Sequence, residues 1–290
     1  MKTTLECGTC FVRQAVEAIE QTGTDQPSRE AALRRVFREL AEADWSDSPP
    51  VIGRTLHRII REATGDPDPY RAIKSRMNAF ALGALPSCRE AILTHGDPHE
   101  AIVRMVVAAN LLDAGAKTQL TPGDLPGLMA SIWDKPLAGD PAELFRLAGQ
   151  AERILYLADN AGEIIFDRLL LEVLPPGKTT VAVRGLPILN DALREDALLA
   201  GLNELAPIIE NGSDAPGTFL ADCSEEFLAA FRAADLIISK GQGNYETLSS
   251  TPAPLFFLFT VKCPLVAAQT GEPVGSMIAK KSAAWAELNC

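Results

Sequence analysis

From Arg153 onward the chain alternates short apolar runs with helical patterns, and few folds accommodate that texture. The apolar runs at 153–158, 179–184, 206–210, 235–239 and 254–261 have the length and the β-branched or aromatic content of buried strands. Helical spacing lies between them at 163–174, 194–204 and 224–234, the last opened by Asp222 with Glu225 three residues on. Such alternation implies parallel strands joined by crossover helices, and so a sheet covered on both faces. Residues 11–150 read differently. Apolar residues recur there at helical spacing, as in Val12, Val16, Ile19 and in Leu33, Phe37, Leu40, with breaks at Pro49-Pro50 and at Asp66-Pro67-Asp68-Pro69. The expected fold is α/β: a helical domain over 1–150, then a three-layer α/β/α domain over 151–290 with a mainly parallel sheet.

Three of the expected strands end in chemically useful residues. The first runs into Asp159-Asn160-Ala161-Gly162-Glu163 at the start of a helix. An isolated Asp-Asn there is more often a helix cap than a metal site. The second, Thr179–Arg184, is followed by Gly185, Pro187, Asn190 and Asp191, and the third by Lys240-Gly241-Gln242-Gly243-Asn244. Parallel strands bring these ends to one edge, where open α/β sheets bind ligands. Carboxylate and amide oxygens suit a hard divalent cation, and helix N-termini suit an anion. A cation beside an anion points to metal-assisted chemistry on a phosphate.

Composition narrows the partners. With 47% hydrophobic and 22% charged residues, the 290-residue chain reads as globular. Its net charge of −11 leaves no surplus of Lys and Arg for nucleic acid or an anionic membrane, although a local pocket can still hold a small phosphorylated metabolite. The apolar run around Leu255–Phe259 is too short to span a bilayer, and the first residues lack a signal-peptide pattern, so a cytoplasmic location is expected. Among six cysteines, Cys7 and Cys10 form the one close pair. A C-x-x-C of this kind holds metal or runs redox chemistry, or consists of two ordinary helix thiols; Cys263 is the candidate third ligand for zinc or iron. The dinucleotide fingerprint, the Walker lysine and the nucleophile elbow are missing. His95 and His99 flank Gly96 and Pro98 and read as a turn, and His57 as a packed helical histidine.

Leu157–Glu163, Pro187-Ile-Leu-Asn-Asp191 and Ser239–Glu246, in that order, resemble the damage-control phosphatase family. Its metal-binding domain is named after a protein-glutamate methyltransferase-like human member and was long known only as a domain of unknown function. Cys7-Gly-Thr-Cys10, Asp68–Lys74 with Asn78, Asn110-Leu-Leu-Asp113 and Lys262-Cys-Pro264 resemble its prokaryotic branch, so the likeness covers nearly the whole chain. Ala109 departs from the pattern, in which glycine often precedes the equivalent of Asn110. The resemblance implies a helical region packed on an α/β/α domain, a divalent cation in the cleft on Asp159, Asn160 and Asp191, and hydrolysis of small phosphomonoesters such as sugar phosphates or damaged metabolites. It also places Asn110 and Asp113 among substrate-binding residues. A carboxyl methyltransferase using S-adenosylmethionine is the alternative, and a cysteine-metal redox protein built on Cys7 and Cys10 is another.

Three oxygen ligands with open positions suit magnesium, manganese, cobalt or nickel better than zinc. Lys240 is expected to pair with the phosphate, with the amides around Gly241 and Gly243 as a nest and Asn244 close by. Glu163 is the candidate base or ligand support, and Arg184 a candidate phosphate contact. Asp159 is alternatively a nucleophile.

Overall fold

The structure is a computed structural model that describes the backbone of residues 1–118 and 131–288 and the side chains of 1–109 and 131–285. Five helices come first: α1 (Leu5–Gln21), α2 (Gln26–Glu42), α3 (Pro49–Thr64), α4 (Arg71–Thr94) and α5 (Pro98–Thr118). Local chemistry sets their ends. The Asp25 side chain accepts from the Ser28 amide at 3.0 Å to cap α2, prolines occupy the first turn of α3, and Gly65 closes it in the left-handed conformation at φ 71°. Helix α4 continues through Pro86, and Ala84, Cys88 and Ile92 keep its buried face intact on either side of it. The expected turn falls at His95–Asp97, between α4 and α5, and His99 is already in the first turn of α5.

The remaining elements are β1 (Leu137–Gly139), α6 (Pro141–Gln150), β2 (Ile154–Leu157), α7 (Glu163–Leu171), β3 (Thr179–Val183), α8 (Arg194–Leu199), β4 (Ile208–Glu210), α9 (Glu225–Ala233), β5 (Leu236–Lys240), α10 (Gln242–Leu248), β6 (Leu255–Thr260), α11 (Pro264–Thr270), β7 (Met277–Lys281) and α12 (Ala283–Leu288). Among the described residues seven strands form one sheet in the order β1-β7-β6-β5-β2-β3-β4, and every neighbouring pair is parallel except β6 and β7. The five expected strands are present, and the α/β class is as expected. Strands β1 and β7 were not anticipated. Three residues are too few for a periodic signal, and Met277–Lys281 trails off into half-buried lysines. The expected Asp222 cap of α9 is replaced by Ser224, which accepts from the Phe227 amide at 3.2 Å; Asp222 instead pairs with Arg54 at 2.9 Å and accepts from Ser213 at 2.7 Å.

Alternation along β2 divides the core. Ile154 and Tyr156 face the layer that contains α4, α5 and α7, whereas Leu155 and Leu157 face Phe227, Phe231 and Leu248 on the other side. Helices α1 to α3 and the first turns of α4 enclose a separate cluster around Phe11, Val36, Leu56 and Met77. Arg58 and Arg61 of α3 reach across to the buried Asp214 carboxylate and hold its pKa below the usual range, since their hydrogen bonds and charge outweigh the burial that opposes them. No helix among the described residues is long and apolar enough to cross a membrane.

His57 is buried in α3 beside Tyr70, with ring centroids 6.3 Å apart. Burial, aided by Arg61, pushes its pKa down to about 4. The unfolded chain takes up a proton near 6.5 while the folded chain does not until about 4. This contribution is therefore fully present above pH 6.5 and is lost as pH falls through that window. Denaturant titrations should show wild type losing about 3 kcal/mol relative to His57→Gln between pH 7 and pH 4. Parallel acid limbs would show that His57 titrates normally.

Candidate functional site

Strand β2 pairs with β3 on one side and β5 on the other, and the chain runs outward in opposite directions from that point. The carboxyl ends of β2 and β5 therefore flank a topological switch point, where a crevice forms between diverging connections. The turn after β2 carries Asp159, Asn160 and Glu163. The segment after β3 lies antiparallel beside it, with the Ala161 amide donating to the Asn190 carbonyl and the Ala192 amide to the Asp159 carbonyl, both at 2.8 Å. Asn160 and Asp191 face each other in that bridge. Leu189 takes φ 44°, the one positive value among the described non-glycine residues, as the chain turns back toward the site.

The side chains interlock. The Asn160 amide nitrogen donates to Asp159 Oδ2 at 2.8 Å and to Glu163 Oε1 at 2.6 Å, so its oxygen is directed elsewhere. Lys240 is buried beneath the turn, donating to Asp167 at 2.7 Å and standing 3.6 Å from Glu163. Arg184 donates from Nε to Asp191 Oδ2 at 2.6 Å and from Nη2 to Asn244 at 3.3 Å. Asn244 also accepts from Thr218 at 2.8 Å and donates to the Lys240 carbonyl at 2.7 Å. Gly241 passes directly over Asp159: at φ 82°, a Cβ there would lie 2.1 Å from the carboxylate carbon.

Electrostatics follow from this enclosure. Burial, reinforced by Glu163 and Asp191, raises the Asp159 pKa to about 8. Burial also raises Asp191, although Arg184 opposes it. Burial works against a charge on Lys240, yet Asp167 and Glu163 hold its pKa above the ordinary lysine value. Four buried carboxylates (Asp159, Glu163, Asp167, Asp191) thus face two buried cations, Arg184 and Lys240. The surplus matches the charge of one divalent ion, and the outward donors are oxygens. A hard cation fits.

Several anticipated roles change with the geometry. Lys240 and Arg184 are internal ion-pair partners, and Asn244 is a strut joining β2, β3 and β5. The Gly241 amide donates to the Leu258 carbonyl at 3.0 Å, so it is not part of an anion nest, and Gly243 packs against the Pro216 backbone. Asn110 and Asp113 lie outside the described side chains. Among the described residues no three His, Cys, Asp or Glu side chains gather to hold a metal, and Cys7, Cys10 and Cys263 are free thiols. The first two follow each other along α1, and Cys263 accepts from Gln242 at 3.5 Å. The expected trio of Asp159, Asn160 and Asp191 consists of two acids and one amide.

Three participants were given no site role from sequence, although Lys262 and Asn78 stand among the motifs that carry the family resemblance. Asp167 lies one helical turn beyond Glu163, a spacing that signals a shared face. Lys262 follows the carboxyl end of β6, on the same sheet edge as the other motifs; it is exposed at the lip of a recess that it shares with Glu163, Lys240, Gly241 and Gln242, and its charge favours the ionised forms of Asp159 and Asp191. Asn78, from α4, accepts from the Gly162 amide at 2.7 Å, a contact that spacing along the chain does not signal.

The chain is similar to known proteins over nearly its whole length. Residues 3–278 match the family described as the damage-control phosphatase ARMT1-like domain. An uncharacterized Methanocaldococcus jannaschii protein is 36% identical, the alignment covering 95% of this chain and 94% of that one. A Pyrococcus horikoshii protein named damage-control phosphatase is 32% identical over 97% of this chain and 99% of its own. The crystal structure of that organism's DUF89 family protein superposes with a TM-score of 0.90 at 31% identity, covering 97% and 99% of the two chains. The chain belongs to the damage-control phosphatase ARMT1-like family.

Proposed function

We propose that this protein hydrolyses small phosphomonoesters, sugar phosphates or damaged phosphorylated metabolites, with one divalent cation held by Asp159, Asn160 and Asp191. The observation that carries the reading is the buried carboxylate surplus at the switch point, in a member of a phosphatase family. A bound magnesium, manganese, cobalt or nickel ion would polarise the phosphoryl oxygen and make a bound water more acidic. The protein's own residues do the rest. Asp159 and Asp191 present carboxylates, and Glu163 holds the Asn160 amide nitrogen so that its oxygen faces the cleft. Lys240 pairs with Glu163 and Asp167 and holds them in place, and Arg184 does the same for Asp191. Lys262, exposed at the lip, is the cation best placed to receive the substrate phosphate. Glu163 is the candidate proton acceptor for the attacking water.

Chelation should abolish phosphate release, and Mg²⁺, Mn²⁺, Co²⁺ or Ni²⁺ should restore it; full turnover by metal-free protein, checked by elemental analysis, would overturn the mechanism. Asp191→Asn should weaken metal binding, with partial rescue by excess metal. Lys262→Ala should bind metal normally but lose a charge-assisted contact worth about 1.5–3 kcal/mol, or about ten- to hundredfold in kcat/KM. Titrating metal and then substrate into both variants separates the roles, and wild-type turnover by Lys262→Ala would remove that residue from phosphate binding. Gly241→Ala forces a methyl group into the Asp159 carboxylate at a positive φ, so a stability loss of about 1–3 kcal/mol and weaker metal binding are expected. Wild-type melting and metal titration by this variant would show that the turn tolerates the group.

A further inference from the structure

Among the described residues, Asn78 of the helical region hydrogen-bonds to both segments that carry the site. Asn78 is buried on α4, far in sequence from either ligand-bearing turn. Its Oδ1 accepts from the Gly162 amide at 2.7 Å, and its Nδ2 donates to Asp196 Oδ1 at 2.6 Å. The other Asp196 oxygen accepts from the Leu193 amide at 2.8 Å. Gly162 stands two residues after Asn160, and Leu193 two residues after Asp191. One unbroken hydrogen-bonded line therefore runs from the first turn, through α4, to the second. The polarity of each contact is forced: backbone amides only donate and a carboxylate only accepts, so only a side chain that accepts at one atom and donates at the other fits between them.

The two turns also meet directly, through the Ala161–Asn190 and Ala192–Asp159 backbone bonds. Those contacts hold the turns where they face each other. The Asn78–Asp196 line holds the residues that follow, Gly162 at φ 78° and Leu193 at the start of α8, so each turn is fixed on both sides. We propose that Asn78 and Asp196 are positioning residues that set the relative placement of Asp159 and Asn160 against Asp191, and through it the affinity of the site for a divalent cation. The proposal rests on the metal reading above. It makes α4 part of the site, so that docking of the helical region and cation binding are one event.

The polarity of the line gives a specific test. In the exchange Asn78→Asp with Asp196→Asn, the carboxylate placed at 78 accepts from Gly162 and from the amide placed at 196, whose oxygen accepts from Leu193. All three hydrogen bonds and the net charge are kept. In Asn78→Asp alone two carboxylates face each other, and in Asp196→Asn alone two amides do. Mn²⁺ binding followed by electron paramagnetic resonance should weaken about ten- to hundredfold in each single variant, the range found for groups that support a metal's ligands. The double variant should return to within about threefold of wild type, since the lost term is the coupling between the two positions. Hydrogen exchange of the Gly162 and Leu193 amides should quicken in the single variants and slow again in the double. Single variants that bind Mn²⁺ as wild type does, or a folded double variant no better than the single ones, would overturn the proposal. If Asn78→Asp does not fold, Asp196→Asn and the double variant decide it by the same comparison. If wild type binds no Mn²⁺, the metal reading fails, and exchange at the two amides still shows whether the line exists.

Discussion

The burial of Asp159, Glu163, Asp167 and Asp191 around one turn dominates this structure. Like charges brought together away from water raise one another's proton affinity, and each must be paired, protonated or matched by a cation. The surrounding architecture answers that demand. Arg184 and Lys240 come from the ends of β3 and β5, and Asn160 donates to two of the acids at once. Gly241 lets the β5 turn pass close enough to enclose Asp159. The same features that look like phosphate contacts in one dimension are, in three, the means of keeping the carboxylates inside.

The helices before the sheet take part in this arrangement. Helices α4 and α5 share a core with one face of the sheet, so their placement and that of β2 are set by common apolar contacts. Arg58 and Arg61 tie α3 to the segment after β4 through Asp214. Leu189, on the segment that brings Asp191 to the site, packs against the α1–α3 cluster. The site is thus framed by the sheet edge below and by helical side chains above.

The cysteines follow a different logic. Cys7 and Cys10 are half-buried on the first turns of α1, and burial raises the Cys10 thiol away from the reactive thiolate. Cys263 starts α11 beside Gln242, which also accepts from the Lys262 amide at 2.8 Å and so secures the loop carrying that lysine. Cys7 packs against the cluster of the amino-terminal helices and Cys263 against the core on the Phe257 face of the sheet.

Much of the fold was legible in one dimension, because its signals are local. Five apolar runs became five strands, the three motifs fell at strand ends on one edge, and proline pairs marked helix boundaries. Strands β1 and β7 were not legible: three residues carry no period, and β7 is held by its pairing with β6 rather than by its own pattern. Among the site residues, sequence singled out Asp159, Asn160, Glu163, Asp191 and Lys240 as one constellation. It could not decide which way Lys240 and Arg184 point, since a cation at a strand end serves a phosphate or a buried acid equally well, and only the packed neighbours choose. Asn78 stood out only within the family resemblance, with no role attached to it. Its contact with Gly162 spans 84 positions and exists only because α4 docks across the turn, a placement set by the shared core.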